Sequence, residues 1–529
     1  MLHLGSMLVL ADRTPSRGVI MGGPDATGRY PVLLLEEADA HTPAVERLTP
    51  QDGLPGPDHM RIDAYACCRL NSAEAGRAAE AGGGVLPAQT MDKIFRILGK
   101  SAARGAFEAV HRPRPFVPGV SPVPVSGKCF GPEEMESLTD ATLDFWLTTG
   151  RFNETFESAF ARVLGRKHAL TVNSGSSANL VAMTALCSPK LGQRRLQPGD
   201  EVITVAAGFP TTVAPIVQNG LVPVFVDVTP PTYNALPERI REAVGPRTRA
   251  IFMAHTLGNP FDIGAVQAIA RAHDLWIIED ACDALGSRYT PQGGASRMCG
   301  SFGHLATFSF YPAHHITMGE GGAVVCDDPQ LYRIALSLRD WGRDCWCAPG
   351  RDDSCKRRYE WNFPLLPQGY DHKYVYSHLG YNLKITDMQA AVGLRQLERL
   401  GDFVQARQHN FACLHAALSP LDGQELTLPQ ATPGSEPAWF GFLLTLAPQV
   451  DRTALLRHLN AKNIGTRLLF AGSMLRQPCF EGVRCRQVGD LTGTDLILRQ
   501  TFWLGCYPGL GQAQMEYMAD VLLKYFNKG

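Results

Sequence analysis

Thr307-Phe308-Ser309-Phe310-Tyr311-Pro312-Ala313-His314-His315-Ile316-Thr317-Met318-Gly319-Glu320-Gly321-Gly322 is the stretch around which this 529-residue chain is arranged. An apolar run ending at Phe308 passes into a hydroxyl (Ser309), two adjacent histidines and a glycine-rich turn. The stretch holds no lysine, and so no amine nucleophile. An imidazole with an ordinary pKa near ~6.5 can move a proton instead. Alone, a His-His pair reads as polar residues capping a strand-to-loop junction. The motifs on either side are what argue for chemistry.

From Lys167 onward, apolar runs alternate with helical patterns. The runs are Ala169–Val172, Glu201–Val205, Val222–Val226, Ala250–Met253, Leu275–Ile278 and Leu305–Phe308. Spacings of roughly 20–30 residues mark repeated βα units. Continuous rather than alternating hydrophobicity marks strands buried on both faces. The fold class expected is α/β, a mainly parallel sheet with helices on both faces and a smaller C-terminal α+β domain. In such sheets ligands bind at the carboxyl ends of the strands.

Outside this region, residues 91–150 read as N-terminal helices, one opening at Met91, with a Pro-rich strap over 111–127. Residues 151–400 form the large domain, and a long helix from Asp387 to about Arg407 leads into a small domain over 401–529. There, Phe440–Leu446 reads as a strand, and Thr453–Lys462 and Gln512–Lys528 as helices. Residues 1–90 are rich in Gly, Pro, Ala and Arg, with a linker at Ala79–Gly84. They read as a disordered extension, or as an upstream-start artefact with Met91 the functional beginning.

Net charge is −1, with no basic block, which argues against nucleic acid or an anionic membrane as partner. No apolar run reaches the ~18 residues of a membrane span. The first ten residues lack the basic and apolar regions of a signal peptide, so a cytoplasmic location is expected. Most of the fourteen cysteines stand singly inside apolar segments and read as reduced thiols.

Four motifs fall at strand ends or in polar loops. Asn173-Ser174-Gly175-Ser176-Ser177-Ala178-Asn179 opens a helix with small residues, hydroxyls and free amides, which suits a phosphate. Phe209, in Gly208-Phe209-Pro210-Thr211-Thr212, reads as a residue stacked on an aromatic ring or as core. Asp280 ends an apolar strand, either to pair with a protonated pyridine nitrogen or as a plain cap. Ser309 fits a phosphate-binding hydroxyl. Cys345-Trp346-Cys347 and Cys355 form a C-x-C-x7-C pattern suited to zinc or an iron–sulfur cluster, with Cys282 the natural fourth thiol. An unliganded loop is the other reading.

Together these residues resemble the fold-type-I nucleotide-sugar aminotransferases. Within them they resemble the pyridoxamine-phosphate-dependent, [2Fe–2S]-containing 3-dehydratases that act on CDP-4-keto-6-deoxyhexoses. The resemblance covers about 91–529 and rests on Ser188–Gly192, Ala207–Val213, His255–Phe261, Tyr311–Gly322, Asp340–Cys345 and Tyr370–Tyr374. It places His314 where aminotransferases carry their cofactor lysine. It implies pyridoxamine 5′-phosphate (PMP/PLP) held by Gly175, Ser176, Ser177 and Ser309, stacked under Phe209 and met by Asp280 at the ring nitrogen. Asn382 would reach the phosphate of the neighbouring subunit of a homodimer.

The resemblance also implies a [2Fe–2S] cluster on Cys282, Cys345, Cys347 and Cys355. The family spacing of 57 residues before the C-x-C is 62 here, as an insertion within Thr290–Cys299 would give, and Cys299 is the alternative fourth thiol. The implied reaction is loss of the C3 hydroxyl with His314 as base. An NAD(P)H-dependent flavin/iron–sulfur reductase would deliver electrons, and the product would be a 3,6-dideoxy sugar for lipopolysaccharide-type glycans. The competing readings are a nucleotide-sugar aminotransferase, a cluster-free 3-dehydratase and a non-catalytic sensor.

Overall fold

The computed structural model describes residues 88–111, 114–347 and 349–527, with six short backbone segments between residues 7 and 70. It divides into two units: Met1–Pro113 with Gly131–Phe145, and Arg114–Phe130 with Trp146–Gly529.

In the first unit the strands Met7–Val9, Arg17–Ile20, Tyr30–Glu37, Arg47–Leu48, Met60–Ile62 and Cys68–Leu70 pair antiparallel. The Gly and Pro content that suggested an extension there is interrupted by short apolar runs, such as Val32-Leu33-Leu34-Leu35, and those runs carry the pairing. The linker at 79–84 lies outside the described residues. Two helices follow, α1 (Ala88–Val110) and α2 (Pro132–Asp144). Arg96 pairs with Asp144 at 2.8 Å and Arg104 with Glu136 at 2.6 Å. These partly exposed ion pairs fix the mutual register of the two helices more than they add stability.

The second unit is built on an eight-stranded sheet. Helix α3 (Arg151–Leu164) leads into β1 (His168–Val172) and α4 (Gly175–Leu186). Then come β2 (Glu201–Val205), α5 (Pro210–Gln218), β3 (Val222–Val226), β4 (Thr248–Ala254), α6 (Ile263–Ala272), β5 (Trp276–Asp280), β6 (Leu305–Ser309), β7 (Gly322–Cys326) and α7 (Pro329–Arg339). The link to the small domain is a pair of helices, α8 (Asp387–Glu398) and α9 (Leu400–Leu418), so the single long helix expected there breaks at Arg399.

With β8 (Arg486–Gln487) at one edge, the strand order is β8-β3-β2-β4-β5-β6-β7-β1. Only β7 runs antiparallel to its neighbours. Every residue of β2, β3, β5, β6 and β7 is buried, which is why the runs read as continuously apolar. β7 was not anticipated because its first residue belongs to the glycine turn. A Cβ on Gly322 would lie 2.4 Å from the carbonyl oxygen of Ser174, so only glycine lets β7 pass beneath the start of α4.

Asp387 is buried, and its carboxylate accepts from the backbone N–H groups of Gly150 (2.9 Å), Phe152 (3.2 Å) and Asn153 (2.8 Å). Helix α8 thus supplies the cap for unpaired amides at the start of α3. The small domain packs helices Arg452–Ala461 and Gln512–Phe526 on an antiparallel sheet of Leu426–Thr427, Gly441–Leu446 and Thr501–Gly505. The last strand escaped the sequence reading because helix Thr492–Gln500 runs into it without a breaker.

Candidate active site and thiol nest

A cavity of about 630 Å³ opens at the carboxyl edge of the sheet, lined by Gly175, Ser176, Asp280, Ser309 and His314 among others. Its floor comes from strand ends that packing makes rigid. The Ser174 hydroxyl accepts from Ser177 N at 3.1 Å and caps α4. The first amides of α4 lack intrahelical partners, as at any helix start, and make an anion site beside Ser309. A Cβ on Gly175 would sit 2.5 Å from Cβ of Ser309, so the close approach of these two segments needs glycine. Ser177 does not line the cavity; its hydroxyl donates to Asn173 Oδ1 at 2.6 Å and secures the cap.

Asp280 is buried at the end of β5. Its Oδ2 accepts from Asn179 Nδ2 (2.9 Å) and Thr212 Oγ1 (2.7 Å), and its Oδ1 from Cys282 N (3.1 Å). Asn179 is itself held by the Thr307 hydroxyl at 2.6 Å. A carboxylate fixed in this way at a cavity floor is more than a strand cap. Held so, it suits a cationic ring nitrogen. Phe209 is 47% exposed on the cavity wall, which excludes the core reading and suits a stacking face.

The two histidines separate completely. His315 is 2% exposed, and its Nε2 donates to the carbonyl of Ala438 at 2.5 Å. Burial pushes its pKa well below the ordinary value, with the Arg407 charge adding to the effect, so it stays neutral. His314 faces the cavity. Its Nδ1 lies 3.2 Å from Asp283 Oδ1, an ion-pair distance when the ring is protonated, though not aligned as a hydrogen bond. The loop carrying it is closed by Met318 N to Phe310 O (2.8 Å) and Phe310 N to Gly321 O (2.8 Å). Buried Arg407 donates to the carbonyls of His314 (3.3 Å) and Trp439 (3.2 Å). Among the described residues, no lysine lines the cavity.

Asp283, Asn179, Thr212 and Arg407 were not singled out in the sequence. Asn179 and Thr212 stand inside quoted motifs, and for Asp283 its spacing from Asp280 was the available signal. Arg407 gave none, because its partners are backbone carbonyls distant in the chain. Asn382 lies outside the cavity, exposed, its backbone bridged to Asp340.

The three loop thiols do converge. Cys345 and Cys347 form a compact group with His372, and Cys355 Sγ is 3.1 Å from His372 Nε2. Cys282 is not in that group. Its sulfur faces the first cavity, 3.1 Å from where a Cβ on Gly175 would be, and burial next to Asp280 pushes its thiol pKa well up. Cys299 is fully buried and also outside the group.

A known family, described as DegT/DnrJ/EryC1/StrS aminotransferases, matches residues 128–523. The lipopolysaccharide biosynthesis protein RfbH of Salmonella typhimurium is 54% identical over 83% of this chain and 99% of its own length. The dTDP-4-dehydro-2,6-dideoxy-D-glucose 3-dehydratase of Saccharopolyspora spinosa is 51% identical over 78% of this chain and 88% of its own. Among solved structures, an E. coli GDP-4-keto-6-deoxy-D-mannose-3-dehydratase with bound hydrated PLP superposes with a TM-score of 0.67 at 26% identity. It covers 76% of this chain and 99% of its own. These neighbours carry the fold-type-I architecture seen here.

Proposed function

Because the chain belongs to the DegT/DnrJ/EryC1/StrS aminotransferase family, we propose that it is a 3-dehydratase of a nucleotide-linked 4-keto-6-deoxyhexose, with CDP as carrier and pyridoxamine phosphate as cofactor. The observation that carries this reading is His314: an imidazole faces the cavity beside a phosphate cradle, and no lysine among the described residues lines it.

The residues fit the cofactor. The Gly175–Ser309 cradle is closed to any Cβ, the α4 amides and two hydroxyls suit a phosphate, and Asp280 is held in place by Asn179 and Thr212. When bound, pyridoxamine phosphate would supply an amine for the sugar ketone and a ring that takes up electrons. Gly175, Ser176 and Ser309 hold the phosphate, and Ser177 keeps the cradle's shape. Asp280 keeps the ring nitrogen protonated, and Phe209 covers the ring face. His314 takes a proton at Nε2, since Nδ1 is turned to Asp283, and returns it to the departing hydroxyl. Arg467 lines the cavity and offers a cation to the diphosphate of the substrate.

Cys345, Cys347 and Cys355 fit a [2Fe–2S] cluster, which would pass single electrons from an NAD(P)H-dependent flavin/iron–sulfur reductase. The working unit is a cytoplasmic homodimer in which Asn382 serves the neighbouring subunit. The role is 3,6-dideoxysugar supply for lipopolysaccharide, a reading supported by the RfbH relative.

The test is incubation with CDP-4-keto-6-deoxyglucose, pyridoxamine phosphate and a one-electron reductase, followed by mass analysis. A 3,6-dideoxy-4-keto product is expected. An amino sugar would reinstate the aminotransferase, and preference for a dTDP- or GDP-linked substrate would overturn the carrier assignment.

A further inference from the structure

Arg407, in α9, is only 1% exposed. Its guanidinium donates to the carbonyls of His314 (3.3 Å), Trp439 (3.2 Å) and Phe440 (3.3 Å). Among the described residues, its hydrogen bonds all go to carbonyls and none to a carboxylate. Burial lowers its pKa, yet a guanidinium stays charged. Shutting such a charge away from water is costly, and an apolar side chain would fill the same space at less cost. What the charge achieves is a link between two segments: the loop of His314 and the lead-in to strand Gly441–Leu446.

One donor is left over. Arg407 Nε is buried without a hydrogen-bond partner, and so is Nδ1 of His315. The two atoms are complementary. Arg407 Nε–H can only donate. His315 stays neutral and spends its ring proton on the Ala438 carbonyl, so its Nδ1 can only accept. Both residues line a small cavity of about 10 Å³, close to the room one water needs. A water that accepts from one and donates to the other removes the cost of two unpaired buried groups. Gln396 helps wall this cavity, accepting from Thr317 N at 3.1 Å and donating to the Cys129 carbonyl at 2.8 Å. His314 belongs to its wall and to that of the large cavity alike.

We propose that one water is bound here between Arg407 Nε and His315 Nδ1, and that Arg407 with this water is the positioning residue of His314. The kinetic side of this rests on His314 being the base, as proposed above. Arg407 holds the His314 peptide directly through its carbonyl, and the neighbouring ring through the water. The bonds that place the base therefore lie on its peptide and on His315, not on its own ring. Its ring can then change charge without losing its place.

The experiment is a crystal structure of the full-length protein, of Arg407→Lys and of Arg407→Gln, with steady-state kinetics and denaturant midpoints for each. Wild type is expected to show one ordered water within about 3.2 Å of both Arg407 Nε and His315 Nδ1. A bromide soak should give no anomalous peak there, since Nδ1 offers a lone pair and not a proton. Arg407→Lys keeps a cation that reaches the carbonyls but has no Nε–H. In it the water is lost or moved, and the His314 ring is found displaced or split between two positions. Its kcat falls about tenfold to a hundredfold, as a misplaced reacting group gives, while KM and cofactor affinity stay nearly unchanged. Arg407→Gln drops the charge as well and falls at least as far. A residue that only braces the fold would lower the denaturant midpoints and leave the ring and the kcat of the folded fraction as in wild type. That result in either variant would overturn the positioning role. A wild-type structure without a water bonded to both atoms, or with bromide in its place, would overturn the site. Should wild type convert no 4-keto sugar, the proposed function falls, and the water and the ring positions in the crystals then decide the matter alone.

Discussion

Nδ1 of His314 lies 3.2 Å from Oδ1 of Asp283, both side chains being largely buried at 16% and 12% exposure. An imidazole that takes up a proton beside a carboxylate gains a counter-charge where it is needed. Under the proposed function its other nitrogen is the one that works. Asp283→Asn keeps the shape and removes the charge. Turnover is expected to fall about tenfold to a hundredfold, with KM and cofactor binding nearly unchanged. Steady-state kinetics with a cofactor titration checks this, and a rise in KM without loss of kcat would contradict the orienting role.

His314→Lys puts an amine where the imidazole stands. Dehydration is expected to fall by a factor of about 10²–10⁴, the usual share of a general acid–base residue. The purified variant should hold pyridoxal phosphate covalently, read as a visible absorption band that borohydride fixes to the chain. Turnover equal to wild type would refute the assignment of His314 as the base.

His315→Gln separates the two histidines. The Nε2 donation to Ala438 is lost, and a buried carbonyl is left unpaired or poorly paired, at a cost of about 1–3 kcal/mol. Denaturant midpoints should drop accordingly, while kcat of the folded fraction stays within a few-fold of wild type.

Gly322→Ala pushes a Cβ to 2.4 Å from Ser174 O, against the backbone that opens the phosphate cradle. The strain of such overpacking is about 1–3 kcal/mol. Because it bears on the amides of α4, cofactor affinity should fall together with thermal stability. A variant that binds cofactor as tightly as wild type would show that the cradle tolerates the shift.

Acid should unfold the large domain through Glu279. This carboxylate is fully buried. Burial alone would raise its pKa, but hydrogen bonds from His255 and from the amides of Gly300 and Gly303 outweigh it and hold it below the ordinary value. A depressed folded pKa contributes stability that is present above the unfolded value of about 4.3 and is lost as pH falls through the folded one. Stability should therefore fall steeply below about pH 4. Glu279→Gln should start less stable at pH 7 and show a shallower acid limb, as followed by denaturant midpoints across pH.

The six strands read from apolar runs all exist, because strands buried on both faces leave an unbroken signature; two match, two are one residue longer, Thr248–Ala254 is three longer, and Trp276–Asp280 starts one residue later and ends two later. Strand Gly322–Cys326 escaped because the glycine turn hides its start, and the break at Arg399 escaped because no proline marks it. Gly175, Ser176, Asp280, Ser309 and His314 line one cavity because each follows a strand or opens a helix at the same sheet edge. Ser177 and Asn382 do not, since side-chain direction is not written in local spacing.

Local order along the chain was enough to fix the βα rhythm, the glycine positions and the absence of lysine beside Ile316-Thr317, since each depends only on residues adjacent in sequence. Which of two adjacent histidines faces the cavity and which carboxylate stands by it were decided by tertiary packing alone. Those choices turn on burial and on distances between segments tens of residues apart, and a buried imidazole is neutral scaffold or working base according to what surrounds it.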